Sequence, residues 1–195
     1  MKPILLIGET GQFSRALARS LTARRMPHHA AGRYHADLAK NPESITPLIA
    51  ASDVRAVINC SAYTDVDGPE TEIDAARYLN ALAPGFMADA CAAKDIPFIH
   101  ISTDYVFDGT SNFPYSEDMD LSPINVYGRT KLEGEQAIIR SGVDYVILRT
   151  AWVFSEYGSN FLKTMMKLGA EKEKLGVVSD QMGCPTYAGD IAEAI

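Results

Sequence analysis

Pro3-Ile4-Leu5-Leu6-Ile7 runs straight into Gly8-Glu9-Thr10-Gly11-Gln12-Phe13-Ser14, an apolar run closed by a glycine turn. Over 14–25, Leu17 and Leu21 recur at helical spacing among Ala and Arg residues of good helix propensity, which predicts a helix. A strand, a glycine turn and a helix make an anion site, because free backbone amides and the positive end of the helix dipole converge on the turn. A pyrophosphate fits there. The third small position of the glycine pattern is Ser14, small enough to keep the helix packed on the strand.

Outward from this unit, apolar runs near 3–7, 28–32, 55–59, 97–102 and 144–149 alternate with helical patterns. This alternation predicts βαβ units and a Rossmann-like, doubly wound parallel sheet with helices on both faces. Residues 1–150 are expected to form a nucleotide-binding Rossmann domain, and 151–195 to begin a smaller substrate-binding lobe. The chain has 195 residues, 47% of them hydrophobic, enough for one sizeable core and part of another domain. No internal repeat or low-complexity tract interrupts it.

A net charge of −7 with no cationic patch argues against nucleic acid. Arg24-Arg25, the one basic cluster, is explained by the end of a helix. Neither a signal-type leader nor a run of about 18 apolar residues is present, so a cytoplasmic protein that does not span a membrane is expected. Cys60, Cys91 and Cys184 are odd in number and widely spaced, which predicts reduced thiols rather than disulfides or a zinc site. His28, His29, His35 and His100 form no metal constellation in sequence, and core or surface roles are expected for them.

The dinucleotide reading needs a discriminator after the second strand, where Arg33 stands. An acidic residue there favours a free ribose hydroxyl, whereas Arg accepts a 2′-phosphate, so NADPH is favoured with NADH left open. An exposed surface charge is the plain alternative for Arg33. Phe98-Ile99-His100-Ile101 reads as a buried strand that places Thr103 at its carboxyl end, where open α/β sheets hold ligands. Tyr127 and Lys131 stand at i and i+4, on one face of a helix. A phenol with a pKa of about 10 is a weak acid-base group at neutral pH, and a neighbouring ammonium lowers that value. Thr103, Tyr127 and Lys131 together suit reduction of a carbonyl. The stretch 108–122, rich in Ser, Asp, Pro and Gly, reads as a loop walling the substrate cleft.

Several phrases spread along the chain together resemble the dTDP-4-dehydrorhamnose reductase family of the extended short-chain dehydrogenase/reductases. They are Gly8-Glu9-Thr10-Gly11-Gln12, Asn59-Cys60-Ser61-Ala62-Tyr63-Thr64-Asp65-Val66-Asp67, Ser102-Thr103-Asp104-Tyr105-Val106-Phe107-Asp108-Gly109, Asn125-Val126-Tyr127-Gly128-Arg129-Thr130-Lys131-Leu132, Arg149-Thr150-Ala151-Trp152-Val153 and Asp180-Gln181-Met182-Gly183-Cys184-Pro185-Thr186. The resemblance implies hydride transfer from a reduced nicotinamide to the C4 ketone of dTDP-4-dehydro-L-rhamnose, for cell-surface polysaccharide. It implies that Tyr127 donates the proton, Thr103 hydrogen-bonds the carbonyl oxygen, and Lys131 tunes Tyr127 and holds the nicotinamide ribose. It places Gly11, Gln12 and Phe13, beside Gly8, at the pyrophosphate, Asp37 and Leu38 near the adenine, and Ala62, Tyr63 and Thr64 along the cofactor. Thr103, Asp104 and Trp152 are implied as substrate contacts. Asp37 also reads as a turn residue, and Trp152 as core. Asn80 has a superfamily analogy, but with Pro84 nearby it also reads as a helix break, and it is left out of the site.

Members of the family continue past the helical pattern at 187–195, so an incomplete substrate lobe is expected. A homodimer with magnesium at its interface belongs to the family's repertoire, though no residue here is singled out for the metal. Two alternatives stand beside the reductase. One is a non-catalytic NADP-binding subunit resembling the regulatory subunit of methionine adenosyltransferase, and the other is a different nucleotide-sugar reductase or epimerase.

Overall fold

A computed structural model of the chain describes residues 1–66 and 73–195; Asp67 of the second family phrase lies outside them. Five parallel strands form the central sheet: β1 (Ile4–Ile7), β2 (His28–Ala31), β3 (Ala56–Asn59), β4 (Phe98–Thr103) and β5 (Tyr145–Thr150), in the order β2-β1-β3-β4-β5. Each of the five expected strands is present, within a residue or so of its expected ends. The register aligns Ile7 with Ala31 on one side and with Asn59 on the other, then Asn59 with His100 and Thr103 with Thr150. The carboxyl ends therefore lie along one edge. From β1 the chain leaves to β2 on one side and returns to β3 on the other, and ligands of open α/β sheets bind in the crevice at such a reversal.

β1 is buried on both faces, as an inner parallel strand must be. Leu5 and Ile7 pack with Ile45 and Ile49 of α2 (Ile45–Ala51), Met87 and Cys91 of α4 (Ala83–Ala92), and Ile138 of α5 (Val126–Ser141). Ile4 and Leu6, pointing the opposite way, pack with Phe13, Leu17 and Leu21 of α1 (Gln12–Ala23) and with Ala188, Ile191 and Ala192 of α7 (Ala188–Ala194). Helices thus cover both faces. In the segment 151–195, β6 (Val153–Phe154) pairs in parallel with β7 (Thr186–Tyr187), and α6 (Phe161–Glu171) buries none of its residues. α7 instead returns to the sheet, tied to α1 by Ser20 Oγ donating to Glu193 Oε1 at 2.7 Å. No helix among the described residues is long and apolar enough to cross a membrane.

A helical run leads into α4: α3 (Ile73–Arg77), then a π-helical turn over Tyr78–Leu82, then α4 with Pro84 in its first turn. Pro84 does not break this run: Leu82 and Ala83 keep helical backbone up to it, and the π-turn just before it absorbs the irregularity.

Candidate active site

The glycine turn sits at the crevice between β1 and β3. Gly8 has a φ of 103°, and a Cβ there would lie 2.9 Å from the backbone nitrogen of Ser61. Only glycine lets this turn approach the loop after β3 so closely. The Gly11 amide donates to Gly8 O at 3.1 Å, and no side chain caps the α1 start. Ser14 is buried, so the packing expected of a small residue holds. The Phe13 side chain lies in the core under α1, leaving its backbone to serve the turn. Gln12 uses its side chain to anchor the later segment: Nε2 donates to Val153 O at 3.0 Å, and Oε1 accepts from Ser155 Oγ at 3.1 Å.

Arg33 is exposed just past β2. The Asp37 carbonyl accepts from the Lys40 and Asn41 amides, with the Lys40 ammonium 3.6 Å from its carboxylate, so the turn role is filled. Leu38 is buried in the core and its amide donates to Ala36 O at 3.1 Å, so its side chain is not presented to a ligand. Ala62 and Tyr63 are half-buried after β3, and Thr64 is exposed.

Asn80, set aside in the sequence, fixes that loop. From the π-turn its Oδ1 accepts from Tyr63 N at 2.9 Å, while Nδ2 donates to Tyr63 O at 3.1 Å and to Thr130 Oγ1 at 3.2 Å. A fully buried Asn with both ends of its amide used is a positioning device. The signal for it is an Asn inside a helical run, where its intrinsic propensity is poor.

Thr103 ends β4, with its hydroxyl oxygen accepting from the Tyr105 amide at 3.3 Å. Tyr127 occupies the first turn of α5, whose start is capped by Asn125 Oδ1 accepting from Gly128 N at 2.8 Å. At Gly128 a Cβ would stand 2.1 Å from Tyr105 O, and at Gly134 it would stand 2.1 Å from Asn80 O. These two glycines let α5 sink against the turn after β4 and against the π-turn. Tyr127 is therefore 9% exposed and Lys131 1%.

Thr103 lies beside the phenol, and the Tyr127 ring meets that of Tyr105 edge-on at 5.6 Å. Burial raises the phenol pKa to about 12, partly offset by the Thr103 hydroxyl, with the Asp104 charge adding to the rise. The expected lowering by Lys131 is thus not the balance found. The position of Nζ explains why: Lys131 Nζ donates to Ile101 O at 2.7 Å and stands 3.0 Å from His100 Nε2. Burial lowers the Lys131 pKa to about 8, with Glu135 opposing the drop. Asp104 is half-buried beside Thr103, its Oδ1 accepting from Oγ1 at 3.2 Å, and burial raises its pKa.

Below this group lies a polar core that the sequence reading missed. Glu135 Oε2 is 2.7 Å from Arg149 Nη2, and Glu135 Oε1 accepts from Ser102 Oγ. His100 is fully buried between Asn59 and Lys131. Only the apolar neighbours of His100 in the sequence hinted at its depth.

Trp152 is 42% exposed, which removes the core alternative, and its φ of 46° places a bulky residue in left-handed backbone. Such strain in a non-glycine residue collects at functional sites. A Cβ at Gly183 would come within 2.7 Å of the indole, so the 180–186 segment presses on the Trp152 ring. The stretch 108–122 carries neither helix nor strand. It is braced by Tyr115, whose hydroxyl donates to Asp108 Oδ1 at 2.9 Å and whose ring stacks on Phe107 at 4.3 Å. Among the described residues, no three His, Cys, Asp or Glu side chains cluster as a metal site.

The family model described as RmlD substrate binding domain matches residues 1–195. The dTDP-4-dehydrorhamnose reductase of Burkholderia thailandensis is 42% identical over 190 residues, covering 97% of this chain and 63% of the relative. A probable dTDP-4,6-dihydroxy-2-methyloxan-3-one 4-ketoreductase of Streptomyces antibioticus is 38% identical over 192 residues, covering 98% and 65%. The crystal structure of the Bacillus anthracis dTDP-4-dehydrorhamnose reductase in complex with NADP superposes with a TM-score of 0.93 at 34% identity, covering 99% of this chain and 68% of that one. The chain spans a little under two thirds of the length of these curated relatives.

Proposed function

The chain belongs to the dTDP-4-dehydrorhamnose reductase family, and from that premise we propose that it takes part in NADPH-dependent reduction of the C4 ketone of dTDP-4-dehydro-L-rhamnose to dTDP-L-rhamnose. The observation that carries this reading is the meeting of Thr103 and Tyr127 at the carboxyl end of β4, two strands across the sheet from the glycine turn. The glycine turn, with Gly8 pressed on the β3 loop, suits a pyrophosphate. Bound NADPH supplies the hydride. Exposed Arg33 suits a 2′-phosphate, and the relative from Bacillus anthracis holds NADP.

Tyr127 acts as the proton donor. With its pKa raised to about 12 the phenol stays protonated across the neutral range, as an acid for a developing alkoxide should. General acid help of this kind is worth roughly 10² to 10⁴ in rate. Thr103 holds the carbonyl oxygen, Lys131 supports the Tyr127 end of the site, and Asp104 and the Trp152 indole receive the sugar. The reading includes a cytoplasmic location and a homodimer, which the family resemblance implies.

The Streptomyces relative is named for a different dTDP-sugar ketone, which supports a second reading in which the sugar differs but the chemistry does not. Following NADPH absorbance with dTDP-4-dehydro-L-rhamnose and with that second ketone, with NADH in parallel, tests both. Turnover of the first ketone supports the proposal, turnover of the second alone supports the second reading, and NADPH binding without turnover of either supports a non-catalytic, regulatory role.

A further inference from the structure

Asn59 and His100 are register partners on adjacent strands, and their side chains reach toward α5. Asn59 Oδ1 accepts from the Ser61 amide at 2.9 Å and from Ser61 Oγ at 2.7 Å. A backbone N–H can only donate, so the oxygen end of the Asn59 amide is fixed toward Ser61. Its Nδ2 end must then face His100 Nδ1, which lies 3.0 Å away. An amide nitrogen carries only hydrogens to offer, so Nδ1 is the acceptor. A neutral imidazole has one N–H, and here it falls on Nε2, 3.0 Å from Lys131 Nζ. An Nε2–H can bond Nζ only through a lone pair, and an ammonium has none.

We propose that His100, its ring proton held on Nε2 by Asn59, is a positioning residue that donates to Lys131 Nζ and favours the free amine of this lysine over its ammonium. Nζ keeps one hydrogen on Ile101 O and presents its lone pair to His100. His100 is fully buried and Lys131 nearly so, so water cannot readily substitute for either partner. The other charged and titratable groups near this amine are Tyr127 one turn before it, and Glu135 one turn after it in α5, which is neutralised by Arg149 of β5. A lysine buried in this way titrates close to the working range, where it can take up and return a proton. The kinetic part of the inference rests on the reductase reading; the protonation state does not.

The test is long-range ¹⁵N–¹H NMR of the histidine rings together with a ¹⁵Nζ titration of Lys131, on the unliganded chain, with assignments from His100→Gln and Lys131→Arg. The expected result is His100 as the Nε2–H tautomer and Lys131 titrating at about 8. In Asn59→Asp, an acceptor replaces Nδ2 while the oxygen facing Ser61 remains. His100 should then move its proton to Nδ1 and accept from an ammonium, raising the proton affinity of Lys131 roughly tenfold or more. A rise without the tautomer change would reflect the added charge alone and would count against the relay. An Nδ1–H tautomer in the parent, or a Lys131 that stays an ammonium past pH 10, would overturn the inference even if Asn59→Asp does not fold. If the chain turns over, the limb of its pH–rate profile that belongs to Lys131 should shift upward in Asn59→Asp. A limb that stays in place would remove the kinetic role and leave the reductase reading intact.

Discussion

Replacing Gly134 by Ala sets two effects of opposite sign against each other. In an exposed helix the change is favourable, because Ala exceeds Gly in helix propensity by about 1 kcal/mol. At this position, however, the added methyl would stand 2.1 Å from the carbonyl oxygen of Asn80, with Ala81 Cα 3.5 Å away. Backbone supplies the clash, so no side-chain rotation relieves it, and α5 must move off the π-turn by about 1 Å to restore van der Waals contact. Overpacking on this scale costs about 3 kcal/mol, which leaves a net loss of about 2 kcal/mol after the propensity gain. For a chain of this size that corresponds to a melting temperature about 4–8 °C lower. The displaced π-turn carries Asn80, so the Tyr63 loop should loosen and NADPH affinity should fall as well. The assay is thermal unfolding by circular dichroism beside a fluorescence titration with NADPH. Gly169→Ala in α6 is the control, since nothing lies within 4 Å of a Cβ there; it should melt at or slightly above the parent temperature. A Gly134→Ala protein that melts like Gly169→Ala would refute the close packing of α5 on which the placement of Tyr127 and Lys131 depends.

Asn80→Ala should remove the two hydrogen bonds by which Asn80 holds the Tyr63 backbone, costing about 1–3 kcal/mol in urea unfolding and weakening NADPH binding. Arg149→Met should strand the buried Glu135 carboxylate and cost about 3–5 kcal/mol in the same assay; no loss would show the pair to be dispensable. Lys131 is protonated to higher pH in the unfolded chain than in the folded one, where burial lowers its pKa from 10.5 to about 8. Between these values the unfolded state binds more protons, so this group adds stability as pH rises, by up to about 1.4 kcal/mol per pH unit. The urea midpoint of the parent should therefore rise relative to that of Lys131→Met between pH 8 and 10, whereas parallel curves would deny the shift. Gly183→Ala should push on the Trp152 indole and raise KM for the dTDP-sugar severalfold with little change in kcat; a change in kcat alone would contradict a binding role for Trp152.

The strands were legible because each is a short apolar run between helical patterns, and parallel inner strands such as Ile4–Ile7 carry no polar alternation to obscure them. The Thr103, Tyr127 and Lys131 set was legible as a set, since the end of a strand and an i, i+4 pair are local facts. Its electrostatics were not. How far α5 sinks is decided by Gly128 and Gly134 against the carbonyls of Tyr105 and Asn80, contacts between segments far apart in the sequence. That depth desolvates Tyr127 and turns Lys131 toward His100, reversing the expected effect on the phenol. Asn80 was hidden for a related reason: its partners, Tyr63 and Thr130, lie 17 and 50 residues away. Leu38 and Phe13 matched a binding pattern by position, yet their side chains belong to the core, because a motif records where the backbone passes and not where a side chain points.

The most direct measurement is the rate of NADPH oxidation with dTDP-4-dehydro-L-rhamnose in the parent chain and in Tyr127→Phe, with NADPH affinity determined for both. Turnover is expected in the parent, with a fall of roughly 10² or more in the variant and unchanged affinity for NADPH. Equal rates in the two proteins would contradict Tyr127 as the proton donor.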